Sequence, residues 1–342
     1  EELMPHFEYL YQAHRNKDMQ FANVFAREFK KRIAGGGYSD EDILHTFHVY
    51  LERLLVEKLA GKVERYGRKH KNLCFVGGCA LNIKWNSALR ETGLFSDVWV
   101  PPFPNDSGSA IGAACCEMIH ATGRNALDWN VYSGPPVMAS AHADGWSARP
   151  ASLAELARLL HRENEPVVFL HGNAELGPRA LGNRSILAAA TEPAAKQVLN
   201  QIKKREDYRP VAPICLEAFA PQLFAPGSRD PYMLFDHAVR PEWLGRIPAV
   251  CHLDGTARLQ TVSAADNPVM HELLTEYRKL SGIPLLCNTS ANYKGKGFFP
   301  DVASAIAWNE VNYVWSNYVL YEKQDKIVFE DLKYTPTTLN AC

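Results

Sequence analysis

The sequence predicts an α/β protein with two domains. Short apolar segments bounded by Gly, Pro, Asn or Asp alternate with amphipathic stretches, as strands alternate with helices in this fold class. The length of 342 residues suits two domains better than one. Residues 125–150 contain Pro135-Pro136 but no hydrophobic periodicity, so we place the boundary there, between domains at 1–148 and 149–342.

Composition excludes several classes of protein. A hydrophobic content of 46% with 22% charged residues is ordinary for a chain that buries a core. A net charge of −1 gives no bulk attraction to nucleic acid or anionic lipid, so any anion site has to be local. No apolar run is long enough to span a bilayer, and residues 1–30 show no secretory signal pattern. The eight cysteines include no C-x-x-C pair, which indicates reduced thiols and a cytoplasmic location.

The first domain is predicted to hold two strand–helix units after an aromatic, basic segment at 1–38. Ser39-x-x-Asp42 is a helix-capping pattern, and apolar residues keep a helical period from there to about residue 66. A strand at 72–76 precedes Gly77-Gly78 and a helix at 80–90. Such paired glycines let a backbone approach a phosphate, or simply form a tight turn.

The second of these units is a strand at 97–100 followed by PPFPNDSG and a small-residue helix at 109–118. Asp106 comes just before this helix. It is expected either to cap the helix or to present a carboxylate at the mouth of a cleft.

The second domain is predicted to begin with a capped helix at 152–162 and a strand at 166–171. A long loop follows, GNAELGPRALGNRSILA at 172–188, in which glycines alternate with Arg179 and Arg184. This pattern suits a loop that folds over an oxyanion, and it equally suits a structural loop with surface arginines.

A basic cluster follows at the junction of a predicted helix, 192–204, and a predicted strand, 210–216. Lys203, Arg205 and Arg209 lie within seven residues, and cations packed so closely repel one another. They converge on an anion, or they face water and complement the helix dipole.

The last part of the chain is predicted to add strands at 259–262, 283–287 and 311–321 and helices at 268–280 and 301–309. Arg258 precedes the first of these strands in the segment DGTAR. Asn288, Ser290 and Asn292 follow the second. Small polar side chains just beyond a buried strand suit ligand contacts, because each offers one hydrogen bond in a fixed place.

Six motifs in this order resemble the carbamoyltransferases of the NodU/CmcH family over about 220 residues. They are GGCALN, PPFPNDSGSAIGAA, GPRALGNRSILA, KKREDYRPVAP, DGTARLQTV and NTSANYKGKG. The family combines an ASKHA-type (actin/hexokinase-like) domain with a YrdC-like domain. The resemblance therefore implies the C-terminal lobe of an ASKHA domain followed by a YrdC-like twisted α/β domain.

The resemblance implies an ATP-dependent O-carbamoyltransferase acting in two steps. Carbamoyl phosphate and ATP (with Mg²⁺) give carbamoyl-adenylate in the YrdC-like domain. The ASKHA domain, with a metal that is often iron (Fe²⁺), transfers the carbamoyl group to a hydroxyl of a small molecule such as an antibiotic. The partners implied are this acceptor and neither nucleic acid nor membrane, and a homodimer is left open.

Matched residue by residue, the resemblance assigns roles to positions of this chain. Lys203, Arg209 and Arg258 are expected to be catalytic, binding carbamoyl phosphate and the adenylate. Ser290 and Asn292 are expected to hold the nucleotide phosphates, and Asp106 to ligate the metal. The other expected nucleotide or substrate contacts are Gly77, Gly78, Asn82, Arg179, Arg205 and Asn288. Ser290 and Asn292 form an S-x-N motif. Together with Lys203, Arg209 and Arg258 they are predicted to line one concave face.

A departure from the family pattern limits the transfer of roles. No H-x-x-x-H metal pair occurs, so the chain resembles roughly the C-terminal two thirds of the family, without the first ASKHA lobe. Two alternatives stay open: a threonylcarbamoyl- or protein-carbamoylating relative acting on tRNA or a maturation protein, and a catalytically silent nucleotide-binding module. The absence of zinc-finger cysteines and of surplus basic charge argues against the tRNA enzyme.

Overall fold

A computed structural model of the chain describes residues 1–14, 21–66, 72–140, 144–293 and 296–329. They belong to two compact units, one of Glu1–Cys74 with Ser87–Trp99 and the other of Phe75–Asn86 with Val100–Cys342. Both units contain helices and strands, so the predicted α/β class is confirmed. The lobe and domain assignments, with the boundary at residue 148, remain predictions.

The first unit is helical with a small sheet. Its elements are α1 (Met4–His14), α2 (Phe21–Ile33), α3 (Asp40–Tyr66), β1 (Asn72–Cys74), most of α4 (Ile83–Glu91) and β2 (Asp97–Trp99), with β1 and β2 parallel. The helix at 39–66 begins as predicted, since Ser39 Oγ accepts a hydrogen bond from the Asp42 N–H (3.1 Å). The segment 1–38 forms two helices that no sequence pattern predicted. Phe7 and Phe29 are core residues, with their rings stacked at 4.4 Å, whereas Tyr9 is exposed.

The second unit contains the larger part of the secondary structure. Its further helices are α5 (Ser109–Thr122), α6 (Leu153–Arg162), α7 (Pro193–Ile202), α8 (Ala220–Leu223), α9 (Pro241–Leu244), α10 (Pro268–Ser281) and α11 (Val302–Trp308). Its strands are β3 (Trp146–Pro150), β4 (Val167–Leu170), β5 (Arg184–Ala188), β6 (Ala212–Leu216), β7 (Phe224–Ala225), β8 (His237–Val239), β9 (Thr256–Ala257), β10 (Gln260–Val262), β11 (Leu285–Ser290), β12 (Tyr313–Ser316) and β13 (Val319–Lys323).

A mixed eight-stranded sheet organises this unit, in the order β10-β6-β11-β5-β4-β12-β13-β3. β10–β6 and β4–β12 are parallel, and the other neighbours are antiparallel. Every residue of β4, β5 and β6 is buried, as expected for strands covered on both faces. A second sheet joins β7, β8 and β9.

Several segments differ from the sequence prediction: β3 lies at the end of the predicted linker 125–150, and β7 and β8 were not predicted. The last five residues of the predicted loop 172–188 form β5, a central strand between β11 and β4, because the apolar run SILA continues the sheet. The predicted strand 311–321 is the hairpin β12–β13, which turns at Asn317 and Tyr318 with positive φ. The helix at 152–162 is as predicted, with a complete capping box between Ser152 and Glu155. Across the described ranges, no helix combines the length and apolar character needed to cross a bilayer.

Candidate functional site

Lys203 lies where α7 ends and contacts the segment that follows β11. Its Nζ donates hydrogen bonds to the backbone oxygens of Ser290 (2.6 Å) and Asn292 (2.7 Å), and it also contacts Ser290 Oγ (3.3 Å) and Asn292 Oδ1. Ser290 Oγ in turn donates to Asn292 Oδ1 (3.1 Å). The structure therefore brings together three of the five residues expected on one face. The ammonium of Lys203 shapes the S-x-N segment directly.

The environment of Lys203 disfavours its charge. Burial, and then the nearby positive charge of Arg205, lower the pKa of Lys203 to about 7. The group therefore titrates near neutral pH. A bound anion would favour its charged form.

Three half-buried arginines form the centre of the site: Arg179, Arg205 and Arg258. Each has one buried guanidinium nitrogen with no hydrogen-bond partner, namely Nε of Arg179, Nη2 of Arg205 and Nε of Arg258. Within the ranges the structure describes, none of the three forms an ion pair with a carboxylate. Burial, then the charges of Arg179 and Arg205, lower the pKa of Arg258 to about 9. A bound anion would stabilise unpaired, mutually repelling guanidinium groups, so the predicted substrate contacts of Arg179, Arg205 and Arg258 remain predictions.

Arg209, the third predicted catalytic cation, lies at the surface. Its side chain is 53% exposed, and Nε donates to Glu206 Oε2 at 2.5 Å. Its charge still lowers the pKa of Arg205, after the larger effect of burial, so the two groups are near one another. The expected role of Arg209 remains a prediction.

Asn288 fixes the backbone of the loop that carries Arg179. Its Nδ2 donates to the backbone oxygen of Ala180 (3.0 Å) and to Gln260 Oε1 (2.9 Å), and Gln260 Nε2 donates to the oxygen of Leu181 (2.8 Å). These bonds tie β11 and β10 to the loop that carries Arg179. We expected a ligand contact at Asn288, which stays a prediction. Gln260 was missed, since one amide in a strand carries no recognisable signal.

Glu175 shapes the same loop and was also missed by sequence reasoning. Its buried Oε1 accepts hydrogen bonds from the backbone N–H groups of Leu181 (2.7 Å), Asn183 (2.7 Å) and Arg184 (3.1 Å). An acid between the glycines of a basic loop was the available signal. Arg184, expected at the surface or over an oxyanion, is instead buried and donates to four backbone oxygens.

Gly177 allows this loop to pack closely on the PPFP segment. Its φ is +95°, and a Cβ there would lie 2.3 Å from the backbone oxygen of Pro102. Only glycine therefore fits. A cavity of about 530 Å³ opens beside the loop, and its lining includes Glu175, Gly177, Pro178, Asn292 and Phe298.

The predicted ASKHA-cleft residues form a compact turn. Gly77 has φ +102°, and its N–H donates to Pro104 O at 2.7 Å. Gly78 begins the 3₁₀ turn Gly78–Leu81. Asn82 Oδ1 accepts hydrogen bonds from the backbone N–H groups of Lys84 (3.1 Å) and Trp85 (3.3 Å), which is the bonding of a helix N-cap. Nucleotide contacts by these three residues remain predictions.

Asp106 is exposed in the 3₁₀ turn Asp106–Gly108. Among the residues described, no three His, Cys, Asp or Glu side chains come together in a way that could hold a metal ion. A single carboxylate does not make a transition-metal site. The described surroundings of Asp106 therefore do not fit the iron that the family resemblance implies.

Comparison with known proteins places these features in a family context. The sequence model described as "Carbamoyltransferase N-terminus" matches residues 3–115, and "Carbamoyltransferase C-terminus" matches residues 157–323. Nodulation protein U of Sinorhizobium fredii (strain NBRC 101917 / NGR234) is 59% identical over 289 residues, which are 84% of this chain and 52% of that protein. The 3'-hydroxymethylcephem-O-carbamoyltransferase of Streptomyces clavuligerus is 39% identical over 286 residues, 79% of this chain and 54% of that protein.

The chain spans about half the length of the curated relatives it matches, less than the two thirds expected from the motifs. The N-terminal match also begins well before the GGCALN motif, where the resemblance was first recognised. Among solved structures, full-length HypF in the phosphate- and nucleotide-bound form has a TM-score of 0.33 and 15% identity, covering 52% of this chain and 22% of that one.

Proposed function

Because this chain belongs to the carbamoyltransferase family, we propose that its second unit makes carbamoyl-adenylate from carbamoyl phosphate and ATP. The carbamoyl group then passes to a hydroxyl of a small-molecule acceptor, the kind of reaction named for the cephem relative. The cytoplasm supplies both co-substrates, ATP as its magnesium complex.

The observation that carries this proposal is that, in the part of the chain the structure describes, Arg179, Arg205 and Arg258 form no ion pair with a carboxylate, although Asp230 and Glu206 raise the pKa values of Arg258 and Arg205 from a longer distance. Bringing carbamoyl phosphate next to ATP concentrates negative charge, which repels an incoming anionic nucleophile. Three guanidinium groups with free N–H donors offset that charge and hold the reacting groups in place. Phosphoryl-type transfer needs such positioning and charge neutralisation more than it needs a protein nucleophile.

The bonds that form and break are as follows. Water cleaves the carbonyl–phosphate link of carbamoyl phosphate, giving carbamate and inorganic phosphate. A carbamate oxygen attacks the α-phosphorus of ATP, and pyrophosphate leaves with the electron pair of the broken P–O bond. The acceptor oxygen then attacks the carbonyl carbon of the adenylate, AMP leaves, and the acceptor loses its hydroxyl proton to the medium.

Lys203 has a second role in this scheme. Its ammonium already contacts oxygens of Ser290 and Asn292, so it holds the S-x-N segment in shape while adding positive charge. The cavity beside Asn292 has mainly apolar walls. Both carbamate and the adenylate react with water, so apolar walls beside the reacting groups would protect them.

The proposal is tested by carbamoyl-phosphate-dependent exchange of radiolabelled pyrophosphate into ATP. Arg258→Met should lower the exchange rate by about 10²–10³-fold, because it removes a donor from a site where charge is stabilised. Arg149→Met, which removes an arginine already paired with Glu155, is the matched control and should exchange like wild type. Wild-type protein that binds ATP but shows no exchange would reject the enzyme and support the silent binding module.

A further inference from the structure

Lys84 forms a second cationic centre in the same unit, with its charge fully paired. It lies in the first turn of α4, and its Nζ donates to Asp236 Oδ2 (2.6 Å), Asp254 Oδ2 (2.5 Å) and Thr256 Oγ1 (3.1 Å). An ammonium group has three protons, so all its donors are used. The acceptors stand more than 150 residues away in sequence.

The three acceptors lie in or next to β8 and β9, two antiparallel strands joined by residues 240–255 and called the β8–β9 hairpin below. Asp236 immediately precedes β8, while Thr256 is the first residue of β9, which pairs with β8 in antiparallel fashion. Asp254 Oδ1 also accepts from the N–H (3.1 Å) and the hydroxyl (2.7 Å) of Thr256. Lys84 therefore fastens both strands of the hairpin at a single point.

The ion pairs of Lys84 remain charged over a wide pH range. Burial opposes ionisation of Asp254, but hydrogen bonds from Lys84 and Thr256 outweigh it and lower its pKa to about 2. The same contacts with Asp236 and Asp254 outweigh desolvation and raise the pKa of Lys84. His252, 3.0 Å from Thr256 Oγ1, is neutral at physiological pH because burial lowers its pKa to about 4.

Arg258 directly follows β9 and depends on this hairpin for its position. No hydrogen bond to its guanidinium group occurs among the described residues, and Nε is buried without a partner. With no hydrogen bond or ion pair among the described residues, and with only the longer-range attraction of Asp230, the guanidinium group of Arg258 is located mainly by its backbone and by packing. Displacing the backbone of β9 would therefore displace the guanidinium group.

We propose that Lys84 is a positioning residue, which holds the β8–β9 hairpin so that Arg258 meets the anionic substrate. The inference rests on the proposed function, since it assumes that Arg258 binds anion. Lys84 follows the GGCALN motif, for which the family resemblance implied nucleotide contacts in the ASKHA cleft. The proposal instead gives Lys84 a role in the site that forms the adenylate. Lys84 itself need not touch the substrate.

The experiment measures binding of inorganic pyrophosphate by titration calorimetry, together with the pyrophosphate exchange described above. Lys84→Met should weaken pyrophosphate binding by about ten- to a hundredfold, because misplacing a binding group by about 1 Å is that costly. Lys84→Arg, which keeps the charge and can reach both carboxylates, should recover most of the affinity. Lys279→Met, which breaks only a surface pair with Glu276, is the matched control and should bind like wild type.

A double-mutant comparison separates positioning from general destabilisation. If Lys84 acts through Arg258, Lys84→Met should change nothing further once Arg258 is Met. Asp254→Asn allows the same double-mutant comparison with a smaller perturbation. It removes the negative charge that pairs with Lys84 but keeps an oxygen that accepts the hydrogen bonds from Thr256. An equal further loss of affinity in the Arg258→Met background would overturn the inference. A wild-type affinity in Arg258→Met alone would instead reject the anion site and with it the proposed function.

Discussion

The two cationic centres of the second unit differ in one respect, the presence of carboxylates. Lys84 has two aspartates within 2.6 Å, whereas Arg179, Arg205 and Arg258 have no ion-paired acid among the described residues. Half-burying a charge without a partner is unfavourable, and the pKa of Arg258, lowered to about 9 first by burial, reflects that cost. The paired centre is complete as it stands. Under the proposed function, a bound anion supplies the negative charge that the unpaired centre lacks.

The strongest way to break this contrast is to give the unpaired centre its own carboxylate. Arg179→Glu should lower pyrophosphate exchange by at least about 10²–10³-fold, because the new acid would pair with Arg258 and compete with substrate. The unfolding temperature should stay level or rise, since repulsion is removed and Arg179 makes no hydrogen bond to any residue in the described ranges. Exchange and thermal unfolding are measured on the same preparation.

Arg179→Gln is the control for this variant, since it removes one positive charge without adding a negative one. It should lose less activity than Arg179→Glu. Exchange by Arg179→Glu within tenfold of wild type would show that an acid is tolerated at this site, and the contrast between the two centres would lose its functional meaning.

The sequence predicted features that depend on neighbouring residues, and it missed features that depend on contacts between distant segments. The periodicity of 152–162 and the capping pair Ser152 and Glu155 are local, so that helix was predicted correctly. The proximity of Lys203 to Ser290 and Asn292 was predicted only through family resemblance. By contrast, the strand β5 was missed because Arg184, a charged residue, opens it. Its burial depends on backbone oxygens far away in sequence.

Pairing of charges is the part that the sequence could not supply. Lys203 and Arg209 stand six residues apart in one basic motif, yet one is half-buried and the other forms a surface pair with Glu206. Lys84 attracted no attention, because its aspartates lie at 236 and 254. Long-range ion pairs of this kind arise only when the fold brings the segments together.

An effect of intermediate size is expected for the pH dependence of pyrophosphate binding, through Lys203. The pKa of Lys203 in the folded protein, about 7, lies below the normal lysine value of 10.5. Between these two pH values the unfolded chain therefore binds more protons than the folded chain. The stability contributed by Lys203 rises with pH over this range. Anion binding restores the proton. Pyrophosphate affinity should therefore fall by up to about tenfold per pH unit above pH 7.

Lys203→Met is the comparison for this pH series, since pyrophosphate itself also titrates. The ratio of wild-type to variant affinities removes that contribution and should decline from pH 7 to pH 9. A ratio that is constant with pH would mean that Lys203 keeps its proton throughout, held by the oxygens of Ser290 and Asn292.

The smallest expected effect concerns Glu206, an exposed carboxylate that pairs with Arg209 and lies near Arg205. Removing its charge frees Arg209, and surface ion pairs of this exposure contribute little stability, so Glu206→Gln should fold normally. Pyrophosphate should bind about two- to threefold more tightly at low salt, since freeing one exposed charge is worth a fraction of a kcal/mol, and the gain should vanish in high salt. Glu276→Gln, which frees Lys279 on α10 instead, controls for net charge and should leave affinity unchanged. If both variants gain equally, the gain comes from the overall charge of the protein. A gain confined to Glu206→Gln would mean that Arg209 belongs to the anion site and is held back from it by its neighbour.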